Sequence, residues 1–287
     1  MPDTGPRMPA GRLFVVATPI GNLEDLSARA RRVLTEVALI AAEDTRHSAP
    51  LLRHFGIATP LTAYHEHNEA QAAPELLHKL QQGADLALIS DAGTPLVSDP
   101  GYRLVAAARA AGIEVLAVPG ACAAVAALSI SGLPSDRFVF EGFLPARAQA
   151  RRERLRALAA EERTLVLYES SHRIVECLED LRAVLGDERQ VCLARELTKL
   201  HEQTVNGSAQ QLLDWLAADA NRRRGEFVLL LTGRATEATR AELDAEHLLR
   251  VLLEELPPAQ AARLAAKLTG AKKKDLYPRA LALKPQA

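Results

Sequence analysis

Leu88-Ile89-Ser90-Asp91-Ala92-Gly93-Thr94-Pro95-Leu96-Val97-Ser98-Asp99-Pro100-Gly101 decides the fold. The apolar run Leu86 to Ile89 stops abruptly at a small-polar segment with two glycines, two prolines and two aspartates. Such a segment cannot continue a strand, because proline lacks a donor and fixes its own backbone. It must turn, and its small residues let the backbone come close to something. In an open α/β sheet, ligands bind beyond the carboxyl ends of the strands. A plain strand-to-helix connection needs none of these special residues together, so the segment reads as a ligand loop.

The flanking chain repeats the pattern. Leu13 to Ala17 reads as a buried strand ended by Thr18-Pro19-Ile20-Gly21-Asn22. Ser27 is placed to cap a helix carrying Ala30, Val33, Leu34 and Val37 at helical spacing. A second strand, Leu39 to Ala42, runs into Glu43-Asp44-Thr45-Arg46-His47, and a third, Leu61 to Tyr64, into His65-Glu66-His67-Asn68. Helix 70–82, strand 85–90, helix 101–111, strand 115–118 and helix 121–131 complete this half. Strands alternating with helices imply a parallel sheet covered on both faces.

Gly132-Leu133-Pro134-Ser135 marks a boundary, after which a smaller α/β half of mixed strand direction is expected. Its strands read as 137–141, 164–168, 190–194 and 227–231, and its helices as 147–160, 174–185 and 208–217. The expected domains are therefore 12–132 and 133–235, after a disordered lead-in at 1–11 that is rich in proline and glycine. From residue 240 to 287 the pattern is purely helical and its end is basic, as in a helix-turn-helix-like module.

Composition narrows the class. The 287 residues are 48% hydrophobic and 25% charged, as in a soluble globular protein. A net charge of -1 means that a nucleic-acid partner would need a local basic patch. Cys122, Cys177 and Cys192 are odd in number and far apart, which argues against a disulfide framework and fits a reducing compartment. With no signal-peptide core and no apolar stretch long enough to span a bilayer, a cytoplasmic protein with no membrane association is expected.

Familiar signatures are missing from the sequence. The first strand is not followed by G-x-G-x-x-G, and there is no Walker A loop, no nucleophile elbow and no His/Cys metal cluster. His65 and His67 lack the further ligands a metal would need, so no metal is expected.

What remains is distinctive in combination. Ala17 to Leu23, Ser90 to Gly101 and Val118 to Ala123 resemble three landmarks of the tetrapyrrole methylase superfamily. Leu167-Tyr168-Glu169-Ser170 and Ala194 to Lys199 fall where its second-domain landmarks do. Ala42 to Arg46, Tyr168 to Arg173 and Arg195 to Glu202 are similar to its ribosomal RNA methyltransferase branch, which methylates a cytidine ribose 2′-hydroxyl in small-subunit rRNA. The resemblance covers roughly residues 12–235 and extends to the C-terminal helices. It implies two α/β domains of the tetrapyrrole methylase type, S-adenosyl-L-methionine in the cleft between them, a C-terminal helical module, and a homodimer. Carried over by position, the cofactor residues are Pro19, Gly21, Asp91, Ala92, Gly93, Thr94, Val97, Cys122, Ala123, Glu169 and Leu197. The sequence departs from the tetrapyrrole branch at Gly93-Thr94-Pro95, where that branch has Gly-Asp-Pro, with the acid displaced to Asp91.

Methyl transfer to a hydroxyl needs an aligned acceptor and help in removing its proton. The polar residues at the strand ends supply the catalytic candidates: Glu43, Asp44, Arg46, Glu196, Lys199, His201 and Glu202. A lysine with a depressed pKa would be a base and an arginine a phosphate anchor, whereas local ion pairing is the bland alternative for each. RNA phosphates are expected on Arg151, Arg152 and Arg154, on Arg222-Arg223-Arg224, and on Lys272, Lys273 and Lys274, unless these are solvated faces. The expected partner is small-subunit rRNA, naked or assembled into the subunit. Competing readings are a methylase of a small tetrapyrrole or of a protein, and a non-catalytic rRNA-binding assembly factor.

Overall fold

The computed structural model describes residues 10–234 and 237–283, with the backbone alone at 237–244, and holds two five-stranded sheets. The first sheet is built from β1 (Leu13–Val16), β2 (Leu39–Ala42), β3 (Leu61–Ala63), β4 (Leu86–Ile89) and β5 (Val115–Val118), in the order β3-β2-β4-β1-β5. Every pairing in it is parallel. Side chains alternate across the pleat. Phe14, Val16, Ala87 and Ile89 meet α1 (Ala28–Glu36) and α2 (Thr45–His54) on one face. Leu13, Leu86 and Leu88 meet α3 (Glu69–Gln81) and α4 (Tyr102–Ala110) on the other. Ser27 caps α1 as expected, its hydroxyl accepting from the Ala30 N–H at 3.0 Å.

The strand order fixes where a ligand can sit. The chain leaves β1 toward β2 and leaves its neighbour β4 in the opposite direction, toward β5. A crevice therefore opens beyond the carboxyl ends of β1 and β4, at the topological switch point.

The second sheet is mixed, as expected. It contains β6 (Phe138–Phe143), β7 (Thr164–Ser170), β8 (Val191–Arg195), β9 (Gln203–Gly207) and β10 (Glu226–Leu231), ordered β6-β7-β10-β8-β9. Only β6 and β7 run parallel. The first half of the chain covers one face of this sheet. Helix α5 (Ala123–Ile130) lays Ala124, Ala127 and Leu128 on Val166, Cys192, Ala194, Val228 and Leu230. Helices α6 (Ala148–Leu158), α7 (Ile174–Leu185) and α8 (Ala209–Ala217) cover the other face through Leu155, Leu178, Leu181, Leu212 and Leu216. Each fully buried leucine there contributes about 1.5–3 kcal/mol.

Three helices follow: α9 (Glu237–Glu255), α10 (Pro258–Thr269) and α11 (Lys273–Leu283). They share their own small core of Ala245, Leu249, Ala261, Ala265, Leu276 and Ala280. Gly270 ends α10 in the left-handed conformation at φ 75°. Residues 1–9 of the expected lead-in lie outside the described residues, whereas the Gly11 amide donates to Leu80 O at 2.7 Å. Among the described residues no helix is long and apolar enough to cross a membrane.

Candidate active site

Two short-range devices shape the crevice. Thr18 and Gly93 exchange backbone hydrogen bonds at 2.9 and 3.0 Å, clamping the turn after β1 to the loop after β4. The Thr94 hydroxyl then donates to Ala121 O at 3.0 Å, tying that loop to the turn before α5. Gly93 itself has φ 82°, a region open to glycine but strained for other residues. The loop nevertheless holds Leu96 at φ 72° and Ser98 at φ 66°. Such strain, of order 1–3 kcal/mol per residue, clusters at functional sites.

The resulting cleft has a volume of about 270 Å³ and lies between the two sheets. The first half contributes Ile20, Ala92, Gly93, Thr94, Val97, Ser98, Asp99, Cys122 and Ala123. The second contributes Phe143, Tyr168, Glu169, Ser170, Leu197, Glu226, Phe227 and Val228. A bulge between Phe140 and Gly142 re-aims the end of β6, so that the rings of Phe140 and Phe143 stand 5.0 and 5.7 Å from Tyr168. The Tyr168 phenol accepts the Ala124 N–H at 3.0 Å, joining β7 to the start of α5. Burial raises the pKa of that phenol, so it stays protonated.

Three carboxylates face the cleft in different states. Glu169 is 2% exposed; its Oε1 accepts the Ser170 N–H at 2.8 Å, and its Oε2 lies 3.4 Å from Arg173 without a hydrogen bond. Glu226 is clamped by Lys199 Nζ at 2.7 Å, and Lys199 also donates to Glu196 at 2.9 Å. Among the described residues no cation is set against Asp99. Burial raises its pKa, against a pull from Ser90 and with added repulsion from Asp91.

Eight of the eleven expected cofactor residues line this cleft: Ala92, Gly93, Thr94, Val97, Cys122, Ala123, Glu169 and Leu197. Pro19, Gly21 and Asp91 lie outside the lining. Gly21 packs against the stem of Lys199, and the Asp91 carboxylate accepts the Asp44 N–H at 3.0 Å. None of the seven catalytic candidates lines the cleft. Glu43 sits behind it beside Asp91, its pKa raised by burial and by Asp99 and Asp91. Asp44 caps α2 and pairs with the exposed Arg46 at 2.7 Å. His201 lends its carbonyl to buried Arg195, and Glu202 accepts the Thr198 N–H at 2.7 Å.

Lys199 requires a correction. Burial pulls its pKa down, but the carboxylates of Glu226 and Glu196 outweigh that and leave it raised. That direction, with Nζ held between two carboxylates, suits a cation and departs from the depressed lysine expected of a base.

The basic candidates divide. Arg151 is 1% exposed and donates to Asp180 at 2.6 Å, so it is a buried structural partner and does not face RNA. Arg152 pairs with the same aspartate and Arg154 with Glu141. Arg222 stacks 4.6 Å from the centre of the Trp215 ring, and Arg223 donates to Leu216 O at 3.2 Å. Lys272, Lys273 and Lys274 are exposed at the start of α11. Among the described residues no group of three His, Cys, Asp or Glu side chains is arranged to hold a metal ion.

Sequence reasoning passed over Ile20, Ser98, Asp99, Phe143, Tyr168, Ser170, Glu226, Phe227 and Val228 as lining residues. Asp99 stood in the quoted loop itself. Glu226 and Phe227 reach the site only because β10 pairs them with Ser170 and Glu169, a register that no local pattern announces.

A mixed second sheet docked through α5 on a parallel first sheet, with a cleft between them, defines a class, and the chain belongs to it: residues 12–213 match the family of Tetrapyrrole (Corrin/Porphyrin) Methylases. Crystal structures of that fold agree. A uroporphyrin-III C-methyl transferase from Thermus thermophilus complexed with S-adenyl homocysteine superposes with a TM-score of 0.53 at 20% identity, covering 77% of this chain and 97% of that one. Within the family the chain belongs with the proteins named ribosomal RNA small subunit methyltransferase I. The one from Pseudomonas aeruginosa is 57% identical over 96% of this chain and 98% of its own, and the one from Escherichia coli O157:H7 is 54% identical over 94% and 95%. Residues 239–284 match the RsmI C-terminal HTH domain.

Proposed function

We propose that the chain is a methyltransferase that uses S-adenosyl-L-methionine to methylate the ribose 2′-hydroxyl of a cytidine in small-subunit (16S) rRNA, as a homodimer in the cytoplasm. The observation that carries this reading is the cleft at the switch point, present in a chain that aligns over nearly its whole length with relatives of that name.

The residues present suit that cofactor. The cleft is close to the lower end of the roughly 300–1,000 Å³ usual for small-molecule sites. Ala92 and Gly93 leave room in the cleft wall that larger side chains would fill. Ile20, Val97, Ala123, Phe143 and Leu197 supply apolar wall, and the unbonded Oε2 of Glu169 offers a buried acceptor. When bound, the cofactor supplies a sulfonium methyl group, already strongly electrophilic.

The protein's share is therefore to hold both reactants and exclude water. The Thr18–Gly93 clamp and the Thr94–Ala121 bond fix the loop, and Tyr168 locks the second sheet to α5 beside it. Lys199, held between Glu196 and Glu226, keeps a positive charge at the edge of the cleft, suited to a backbone phosphate or a developing alkoxide.

The test is transfer of labelled methyl from S-adenosyl-L-methionine, offered in parallel to assembled small subunits, naked rRNA and a tetrapyrrole precursor. The expected product is label in rRNA at an alkali-resistant linkage. Label in the tetrapyrrole alone would overturn the reading, and cofactor binding without transfer to any RNA would favour an assembly factor.

A further inference from the structure

A wall that shields a ligand from water is itself shielded, and most of the apolar wall follows that rule: Leu197, Phe227 and Val228 are buried. Phe143 does not. It is 54% exposed, and among the described residues no other large apolar side chain lining the cleft is exposed. Exposure alone is common for an apolar residue. What singles out Phe143 is how the backbone brings it there. Side chains alternate along a strand, so Phe140 and Phe143, three apart, belong on opposite faces of the sheet. Both nevertheless meet Tyr168 edge to face, because the pairing of β6 with β7 slips by one residue between Phe140 and Gly142. Gly142 takes the slip in a left-handed conformation at φ 69°, and a Cβ there would lie 2.8 Å from Ser98 Oγ. In a regular strand Phe143 would share the other face with Glu141, which pairs with Arg154 of α6, beside the large apolar core. The bulge turns a ring away from a core that could bury it and holds it at the open side of the cleft.

We propose that Phe143 is the platform on which the base of the acceptor nucleotide stacks, setting that nucleotide's ribose over the cleft. This deepens, and rests on, the reading of the chain as a ribose methyltransferase. A pyrimidine base presents a flat π face, and stacking on an aromatic side chain is how unpaired RNA bases are commonly held. Tyr168 supports the Phe143 ring edge to face, 5.7 Å between centres, and more than half of Phe143 stays open to solvent.

The sheet sets the span. Phe143 pairs with Tyr168, and Tyr168 with Val228, so Phe143 and the β10 end carrying Glu226 stand two strands apart, roughly 10 Å. Lys199 holds Glu226 there. A nucleotide with its base on Phe143 can therefore turn its phosphate toward the Lys199 ammonium, with its sugar between them. The cofactor's adenine is also a flat ring, and the two compete as occupants of this face. The shielded wall at Leu197, Phe227 and Val228 suits the ring that is enclosed, whereas an acceptor carried on a large RNA must enter from solvent, where Phe143 stands.

The test uses the full chain with S-adenosyl-L-methionine and small ribosomal subunits. Phe143→Leu keeps an apolar side chain and removes the ring, so it separates stacking from wall-filling. It is expected to lower kcat/KM for the subunits by about five- to hundredfold while the cofactor dissociation constant stays within about twofold. Phe143→Tyr, which keeps the ring, should stay within about threefold of the unmodified chain, and both variants should melt as the unmodified chain does. Independently of turnover, the unmodified chain is mixed with subunits and S-adenosylhomocysteine and irradiated with short-wavelength ultraviolet light. The peptide that carries Phe143 should become joined to the nucleotide that takes the methyl group, and Phe143→Leu should lose that product. Unchanged kcat/KM in Phe143→Leu would overturn the assignment, and so would a cross-link map without this product. A parallel loss of cofactor affinity would give the ring to the adenine instead. Failure of the underlying reading looks different: the unmodified chain transfers no methyl to any RNA, and the assignment falls with it.

Discussion

Gly93 works at two levels. Its backbone N–H and C=O both engage Thr18, and its missing side chain leaves cleft volume beside Ile20. Gly93→Trp places an indole in that volume on a backbone at φ 82°. The conformational cost is about 1–3 kcal/mol, below the about 5–15 kcal/mol that typically separates folded from unfolded domains. The variant should therefore keep a cooperative melting transition and lose measurable cofactor binding by titration calorimetry; unchanged affinity would sink the loop assignment. At this scale the wall of the cleft was largely legible, because small residues after a buried strand mean close backbone approach. The charged residues were not. Asp44 and Arg46 satisfy each other, Asp91 turns to the Asp44 amide, and Lys199 is captured by two acids. A charged residue at a strand end announces a hydrogen bond without saying with whom.

Helix α6 illustrates the same point for elements. Its arginine run looks like a cationic face, yet Arg151 turns inward and pins α6 to α7 through Asp180, with side chains 2% and 3% exposed. Removing one partner of such a pair leaves a buried charge, so Asp180→Ala should cost about 3–5 kcal/mol at neutral pH by urea denaturation. Burial raises the Asp180 pKa, but bonds from Arg152 and Arg151 outweigh it and leave the folded value depressed. Its contribution is thus complete above the unfolded aspartate pKa of about 3.9 and is lost as pH falls through the folded one. The gap between unmodified chain and variant should narrow only in that acid window; a gap constant with pH would contradict the pairing. Other elements were hidden for identifiable reasons. Helix α2 carries Pro50 in its interior and begins in residues read as a polar strand-end loop. Strand β9 has Val205 as its lone large apolar side chain, since it is an exposed edge whose pairing with β8 is made by backbone.

For the whole molecule, the parallel first sheet, the mixed second sheet and the helical end all followed from element order. The contact that makes one site from two sheets did not. Helix α5 belongs to the first half by position and to the second sheet by packing, and its nearly uniform apolar character gives no hint of which face meets what. Among the described residues the buried core of the C-terminal helices is drawn from α9, α10 and α11. Deleting residues 240–287 should therefore leave cofactor affinity within about twofold while weakening subunit binding roughly tenfold or more, as expected when several phosphate contacts are lost. Equal loss of both would show that the module supports the cleft instead.

The central place of β10 has a consequence for how the protein comes off the ribosome. The first sheet is complete once β5 has been made, at Val118, and can assemble early during synthesis. The second cannot, because β10, the last strand among the described residues, lies between β7 and β8. Until Leu231 emerges, β7 and β8 have no common neighbour, and Ala124, Ala127 and Leu128 of α5 wait without Val228 and Leu230. The cleft, which takes Glu226, Phe227 and Val228 from β10, is therefore completed late. Stalled nascent chains ending before residue 225 should show a protease-resistant N-terminal half and no cofactor binding, whereas chains extended past 231 by the length of the exit tunnel should gain both a resistant second half and the bound cofactor together.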